Sequence, residues 1–115
     1  MLYRIYEIAG EYAIAADSGQ KVYDLIHPAL IAETPIELDF AGVKIFASPF
    51  FNNAVGQLLK DISVENLNCL LSFTNLNTNG QTVLRQVITS AKRYYTDPQY
   101  QRAVDTVLEE YASSF

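Results

Sequence analysis

Pro35-Ile36-Glu37-Leu38-Asp39-Phe40-Ala41-Gly42-Val43-Lys44-Ile45-Phe46-Ala47-Ser48-Pro49-Phe50-Phe51 reads as a strand, a connecting segment and the start of a helix. Ile36, Leu38 and Phe40 alternate with Glu37 and Asp39, the period of a half-buried strand. Gly42 interrupts the run where the strand should end. Ser48-Pro49 has the form of a helix start. A serine oxygen accepts from free amides of a first turn, and proline suits the first helical position. Behind it, Phe50, Phe51, Ala54, Val55, Leu58, Leu59 and Ile62 recur as near-adjacent pairs every four residues, which predicts one apolar helical face.

Toward the N-terminus, Leu2 to Ile8 predicts a first strand and Tyr12 to Ile14 a second, the two forming a hairpin. Asp17 or Ser18 is placed to cap a helix with Val22, Leu25, Ile26, Ala29 and Leu30 on its apolar face. Pro28 lies inside that pattern and lacks a backbone donor, so the helix is expected to kink or end near His27. Toward the C-terminus, Ser63 to Asn66 reads as a connection, Leu67 to Phe73 as a strand and Asn75 to Gly80 as a polar turn. Val83, Leu84, Val87, Ile88 and Ala91 form a further helical stripe. Thr96-Asp97-Pro98 is a stop and restart, with Asp97 as N-cap of a last helix, 98–114, that carries Tyr100, Ala103, Val104, Val107, Leu108 and Tyr111. Strands alternating with helices make this an α/β chain with a small mixed sheet. The polar second faces of the strands at 36–40 and 67–73 put the helices mainly on one face of that sheet.

The 115 residues are read as one domain, long enough for a real core. Half are hydrophobic, which excludes a disordered chain. The net charge of -5 and the absence of a basic stripe argue against nucleic-acid binding. Cys69 is the single cysteine, so no intramolecular disulfide forms and a cytoplasmic setting is expected. No uncharged apolar run reaches the ~20 residues of a membrane span, so no membrane association is expected.

Leu38-Asp39-Phe40-Ala41-Gly42-Val43 followed by Ala47-Ser48-Pro49-Phe50-Phe51-Asn52 resembles the small STAS-like domain family of unknown function, related to the sulfate-transporter and anti-sigma-factor-antagonist domains. Phe73 to Gln81 fits as the strand and turn before the next helix, and the likeness can be followed from about Tyr3 to Tyr95. The resemblance implies a STAS-like fold with helices over one sheet face. It also implies a bacterial-type regulatory role, binding a protein partner such as a kinase-like ATPase or an anti-sigma-type regulator. In the phosphorylated antagonists the second serine of a D-S-S-G-type turn carries the phosphate. Aligned on Asp39 and Val43, that position is Pro49, Ser48 falls on the first serine and Ala47 on the aspartate. The resemblance therefore implies the fold and the partner-binding role more directly than a phosphoserine switch.

The candidate partner-binding residues are Ala47, Ser48, Phe50, Phe51, Asn52 and Asn53, with Ser48 the candidate phosphorylation site. The plainer reading of Ser48 is an N-cap, and of the two phenylalanines, core anchors with one near the edge of the apolar face. Asp39 and Gly42 are read as a structural turn. Glu37 shares a strand face with Asp39, but no histidine or third acid joins them, so no metal site is assigned. His27 precedes a proline without a recognisable nucleophile, and Cys69 is read as a small hydrophobe of an interior strand. Lys92-Arg93-Tyr94-Tyr95 is read as a solvated helix end. Asn75 to Gly80 lacks the spacing of a phosphate-binding loop. With no catalytic residues and no cofactor assigned, the leading expectation is a noncatalytic regulatory interaction module. The alternatives are a structural subunit docking by the 98–114 helix, and a small enzyme using Asp39, Ser48, His27 or Cys69.

Overall fold

The structure is a computed structural model, which describes residues 1–97, 99 and 102–105. Its strands are β1 (Leu2–Arg4), β2 (Tyr12–Ala13), β3 (Ile36–Asp39), β4 (Ile45–Phe46) and β5 (Leu71–Thr74). Its helices are α1 (Tyr6–Ala9), α2 (Ala16–Ile31), α3 (Ser48–Ala54), α4 (Val64–Leu70) and α5 (Thr78–Thr96), with a 3₁₀ segment at Gly56–Lys60. β3 lies between β1 and β5 in a three-stranded sheet, and β2 pairs with β4 in a second, two-stranded one. All three pairings are parallel. The α/β class stands, and the strands at the two predicted positions, β3 and β5, are neighbours. The sheet arrangement differs from the expected mixed sheet.

The register sorts the side chains of the larger sheet. Tyr3, Leu38 and Phe73 lie side by side, while Glu37 pairs with Leu2 and Ser72, and Asp39 with Arg4 and Thr74. Ile36, Leu38 and Phe40 are buried, whereas Glu37 and Asp39 are half-buried. The helices therefore cover one face and leave the other polar, as the alternation in β3 required. On the covered side, Phe40 meets Phe46 and Phe51 at 5.9 Å and Phe73 at 6.2 Å between ring centroids. Phe50 and Phe51 meet edge-on at 5.4 Å. Such contacts contribute ~1 kcal/mol per pair beyond area burial. They join strand β3, strand β5 and helix α3 into one cluster. The approach of α2 to α3 is close enough that a Cβ on Gly19 would overlap the Phe50 carbonyl.

Several expected boundaries move, each for a local reason. The Leu2–Ile8 strand stops at Arg4, because residues 6–9 form a helical turn in which the Ala9 N–H bonds the Ile5 carbonyl and the Gly10 N–H that of Tyr6. No hairpin forms, since β2 pairs with β4 instead. Helix α2 starts one residue before Asp17. Ala15 is its N-cap and makes no side-chain bond, while Asp17 sits in the first turn, where its charge suits the helix dipole. The helix runs through Pro28 to Ile31, because its buried face of Val22, Ile26 and Leu30 continues past the proline. The long helix expected to reach Ile62 breaks at Val55, with φ -124, and continues as the 3₁₀ segment.

The largest change lies between residues 63 and 70. Ser63 accepts from the Asn66 N–H and caps α4, so a helix occupies what reads as a connection and the first half of a strand. Cys69 accordingly lies exposed on a helix, not inside a strand. Helix α5 starts within the expected polar turn, capped by Asn77, which accepts from the Gly80 N–H at 2.8 Å. It ends at Thr96 as predicted, and the Asp97 carboxylate accepts from the Gln99 N–H at 3.0 Å, as an N-cap would. Gln99 and residues 102–105 are helical. The remaining residues of the helix expected over 98–114, among them Tyr100, Val107, Leu108 and Tyr111, lie outside the described residues.

Candidate functional site

The turns that follow the neighbouring strands β3 and β5 are joined by one carboxylate. Asp39 Oδ1 accepts from the Ala41 N–H and from Asn75 Nδ2, each at 2.9 Å. Asn75 takes a left-handed φ of 56°, which asparagine tolerates better than most residues. Gly42 also needs its positive φ of 86°, and the Tyr6 ring packs against the position a side chain would take. The Asn75 amide and the Ala41 N–H hold the Asp39 carboxyl below its ordinary 3.8, with Arg4 adding in the same direction. A carboxylate so arranged remains ionised at neutral pH, the opposite of the raised pKa that suits a general acid. Glu37 accepts from the Thr74 hydroxyl at 2.9 Å. Among the described residues, no group of three or more His, Cys, Asp or Glu side chains is placed to hold a metal ion.

The expected partner-binding segment divides by burial. Phe50 and Phe51 are 1% and 0% exposed, so neither is available to a partner, and that expectation is corrected. Ser48 is exposed but caps nothing. Ala47 is the N-cap, in extended conformation, and Ser48 and Pro49 are the first and second helical residues. The reason is upstream: the Ala47 N–H bonds the Ala13 carbonyl and extends the β2–β4 pairing, so the chain leaves the sheet one residue later than expected. Asn52 is exposed, whereas Asn53 is half-buried and donates to the Ala16 carbonyl at 3.2 Å, tying α3 to α2. Of the predicted segment, Ser48, Pro49 and Asn52 face solvent.

The surface beside them is one the sequence reading missed. Tyr12 and Ile45 are register partners in the two-stranded sheet and are 55% and 50% exposed. Their neighbours Ala13 and Phe46 turn inward, buried and half-buried. Ile14, 42% exposed, follows directly after β2. The result is an exposed apolar pair next to which, one residue before each strand, Lys44 and Glu11 form an ion pair at 3.5 Å, and Ser48 follows β4 along the chain. The available signal was the alternation in Val43-Lys44-Ile45-Phe46, too short to separate a strand from a connecting segment.

His27 and Cys69 are not brought together as a pair; His27 Nε2 instead lies 2.8 Å from Asp61 Oδ2. Tyr23 stacks on the His27 ring at 4.8 Å. Burial, and then the Asp61 charge, push the hydroxyls of Tyr23 and Tyr95 above the ordinary tyrosine value. The contact fastens α2 to the segment after the 3₁₀ turn. Tyr94 donates to Asp105 at 2.8 Å, while Lys92 and Arg93 are exposed, as a solvated helix end would be.

A family model described as a STAS-like domain of unknown function matches residues 18–81, from α2 to the first turn of α5. No curated protein and no solved structure matches the chain. The match takes in Asp39, Gly42 and the whole of α3, while Tyr12 and most of α5 lie outside it. No helix among the described residues is long and apolar enough to cross a membrane.

Proposed function

Because the chain belongs to the STAS-like domain family of unknown function, matched over more than half of its length, we propose that it is a noncatalytic regulatory module that binds a protein partner. The binding surface of this proposal is the outer face of β2 and β4 with the exposed start of α3. One observation carries it: Tyr12 and Ile45 stand side by side, each about half exposed, on a strand pair whose opposite side belongs to the core. Contiguous exposed apolar groups with a polar rim are the composition of an interaction site. Tyrosine is enriched among residues that dominate binding. Ser48 and Asn52 supply rim hydrogen-bonding groups, and a phosphoryl group on Ser48 would stand on that rim.

The noncatalytic part of the reading is supported by the state of the strand-end acids. Asp39 is occupied by two donors and Glu37 by one. The likeness to anti-sigma-factor antagonists suggests a kinase-like ATPase or an anti-sigma-type regulator as partner. A reducing, cytoplasmic setting suits the exposed free Cys69.

The test is affinity capture of the partner, followed by Tyr12→Asp with Ile45→Asp. The doubly substituted protein should keep its circular dichroism and lose the partner. Leu25→Asp, which changes another exposed apolar residue on α2, should keep both. A folded Tyr12→Asp, Ile45→Asp protein that retains its partner would remove this interface.

A further inference from the structure

Among the described residues β5 is an edge strand, since the sheet order is β1-β3-β5. In a parallel pair, alternate residues of a strand bond to the neighbour. Phe40 donates to the Thr74 carbonyl, and Asp39 is the register partner of Thr74. This assigns Ser72 and Thr74 to β3 and turns the Phe73 N–H and C=O to the outer edge. Such an edge is a template for another strand.

The space beside this edge has a floor and a wall. A groove of about 550 Å³ runs between β5 and α5, with Phe73 and Leu76 on one side and Leu84 and Ile88 on the other. Arg85 and Lys92 also line it. Gln81, Arg85, Ile88 and Lys92 follow one another at helical spacing, so they form a single stripe of α5. Arg85 and Lys92 are exposed and have no ion-pair partner among the described residues. They stand in a chain of net charge -5. Among the described residues, a strand edge whose outward backbone groups have no partner, an apolar floor and cations without an ion pair are complementary to one kind of occupant.

We propose that the groove between β5 and α5 takes up an extended acidic peptide segment of a partner protein, added to the sheet as a strand beside β5. Its backbone bonds the outward groups of Phe73. Its apolar side chains lie between Phe73 and Ile88, and its carboxylates meet Arg85 and Lys92. Recognition of this kind takes affinity from main-chain bonds and specificity from alternate side chains. The site is separate from the β2–β4 surface, and neither reading depends on the other.

The experiment titrates the full chain with a synthetic peptide alternating valine and glutamate, and with its valine–lysine counterpart, while following backbone amide resonances. The glutamate peptide should shift Phe73, Leu76, Arg85 and Ile88, slow amide exchange at Phe73, and bind less tightly as salt rises. Arg85→Glu with Lys92→Glu should weaken it about tenfold while leaving the dichroism spectrum unchanged. Four outcomes overturn the proposal: no binding, equal binding of the lysine peptide, shifts confined to Tyr12 and Ile45, or a concentration-dependent dimer that occupies the edge instead.

Discussion

Helices α3 and α4 each begin beside a serine, and the two serines behave in opposite ways. Ser48 reads as a cap and caps nothing; Ser63 reads as part of a connection and accepts from the Asn66 N–H at 3.2 Å. The difference lies in what comes before. Ala47 is still bonded to Ala13 of the neighbouring strand, so the residue in extended conformation is Ala47 and the helix opens at Ser48. Ser63 is itself extended, with φ -67 and ψ 154, which puts its hydroxyl within reach of the first turn. A serine before a helix becomes a cap only when its own backbone is the last non-helical one. Helix α3 is held by its aromatic face instead, where Phe51 touches Phe40, Phe46 and Phe50.

That contrast can be broken by substitution. Phe51→Ala should have the largest effect, ~3–5 kcal/mol of destabilisation in a denaturant melt, because it empties a fully buried ring site. A loss below ~1 kcal/mol would mean that α3 is secured by something other than its aromatic face. Ser63→Ala should cost ~1 kcal/mol through the lost cap. Ser48→Ala, measured alongside it, should stay within ~0.5 kcal/mol, as exposed substitutions do. Equal losses for the two serines would erase the distinction between them.

The smallest effect sharpens the same point at a strand's end. Asp39 has a lowered folded pKa, so its carboxylate bonds stabilise the fold above the unfolded value near 3.8. That contribution is lost as pH falls through the lowered folded value. Asp39→Asn should therefore reduce stability at neutral pH and flatten its acid dependence below about pH 4. Stability profiles of the two proteins that run parallel through this range would show that the bonds to Ala41 and Asn75 carry no weight.

Much of the plan was legible because it rests on local periodicity. The alternation of Ile36, Leu38 and Phe40 marked β3, and the pattern of Val83, Leu84, Val87 and Ile88 marked α5. Leu67 to Phe73 misled because leucines at 67, 70 and 71 also fit helical spacing, and a run of seven residues does not separate the two periods. Of the candidate site, Ser48, Pro49 and Asn52 were legible as solvent-facing only once Phe50 and Phe51 had been placed inside.

By itself, the order of residues determined an α/β chain, the half-polar strand Ile36–Asp39, the turn at Gly42 and the likeness to STAS-like domains, because alternation and turn chemistry act within a few residues. The tertiary structure decided that β2 joins β4 in parallel, that Asp39 reaches Asn75, and that Tyr12 and Ile45 form a patch while Phe50 and Phe51 vanish into the core. Those outcomes depend on hydrogen bonds and packing between segments more than thirty residues apart, which no local period encodes.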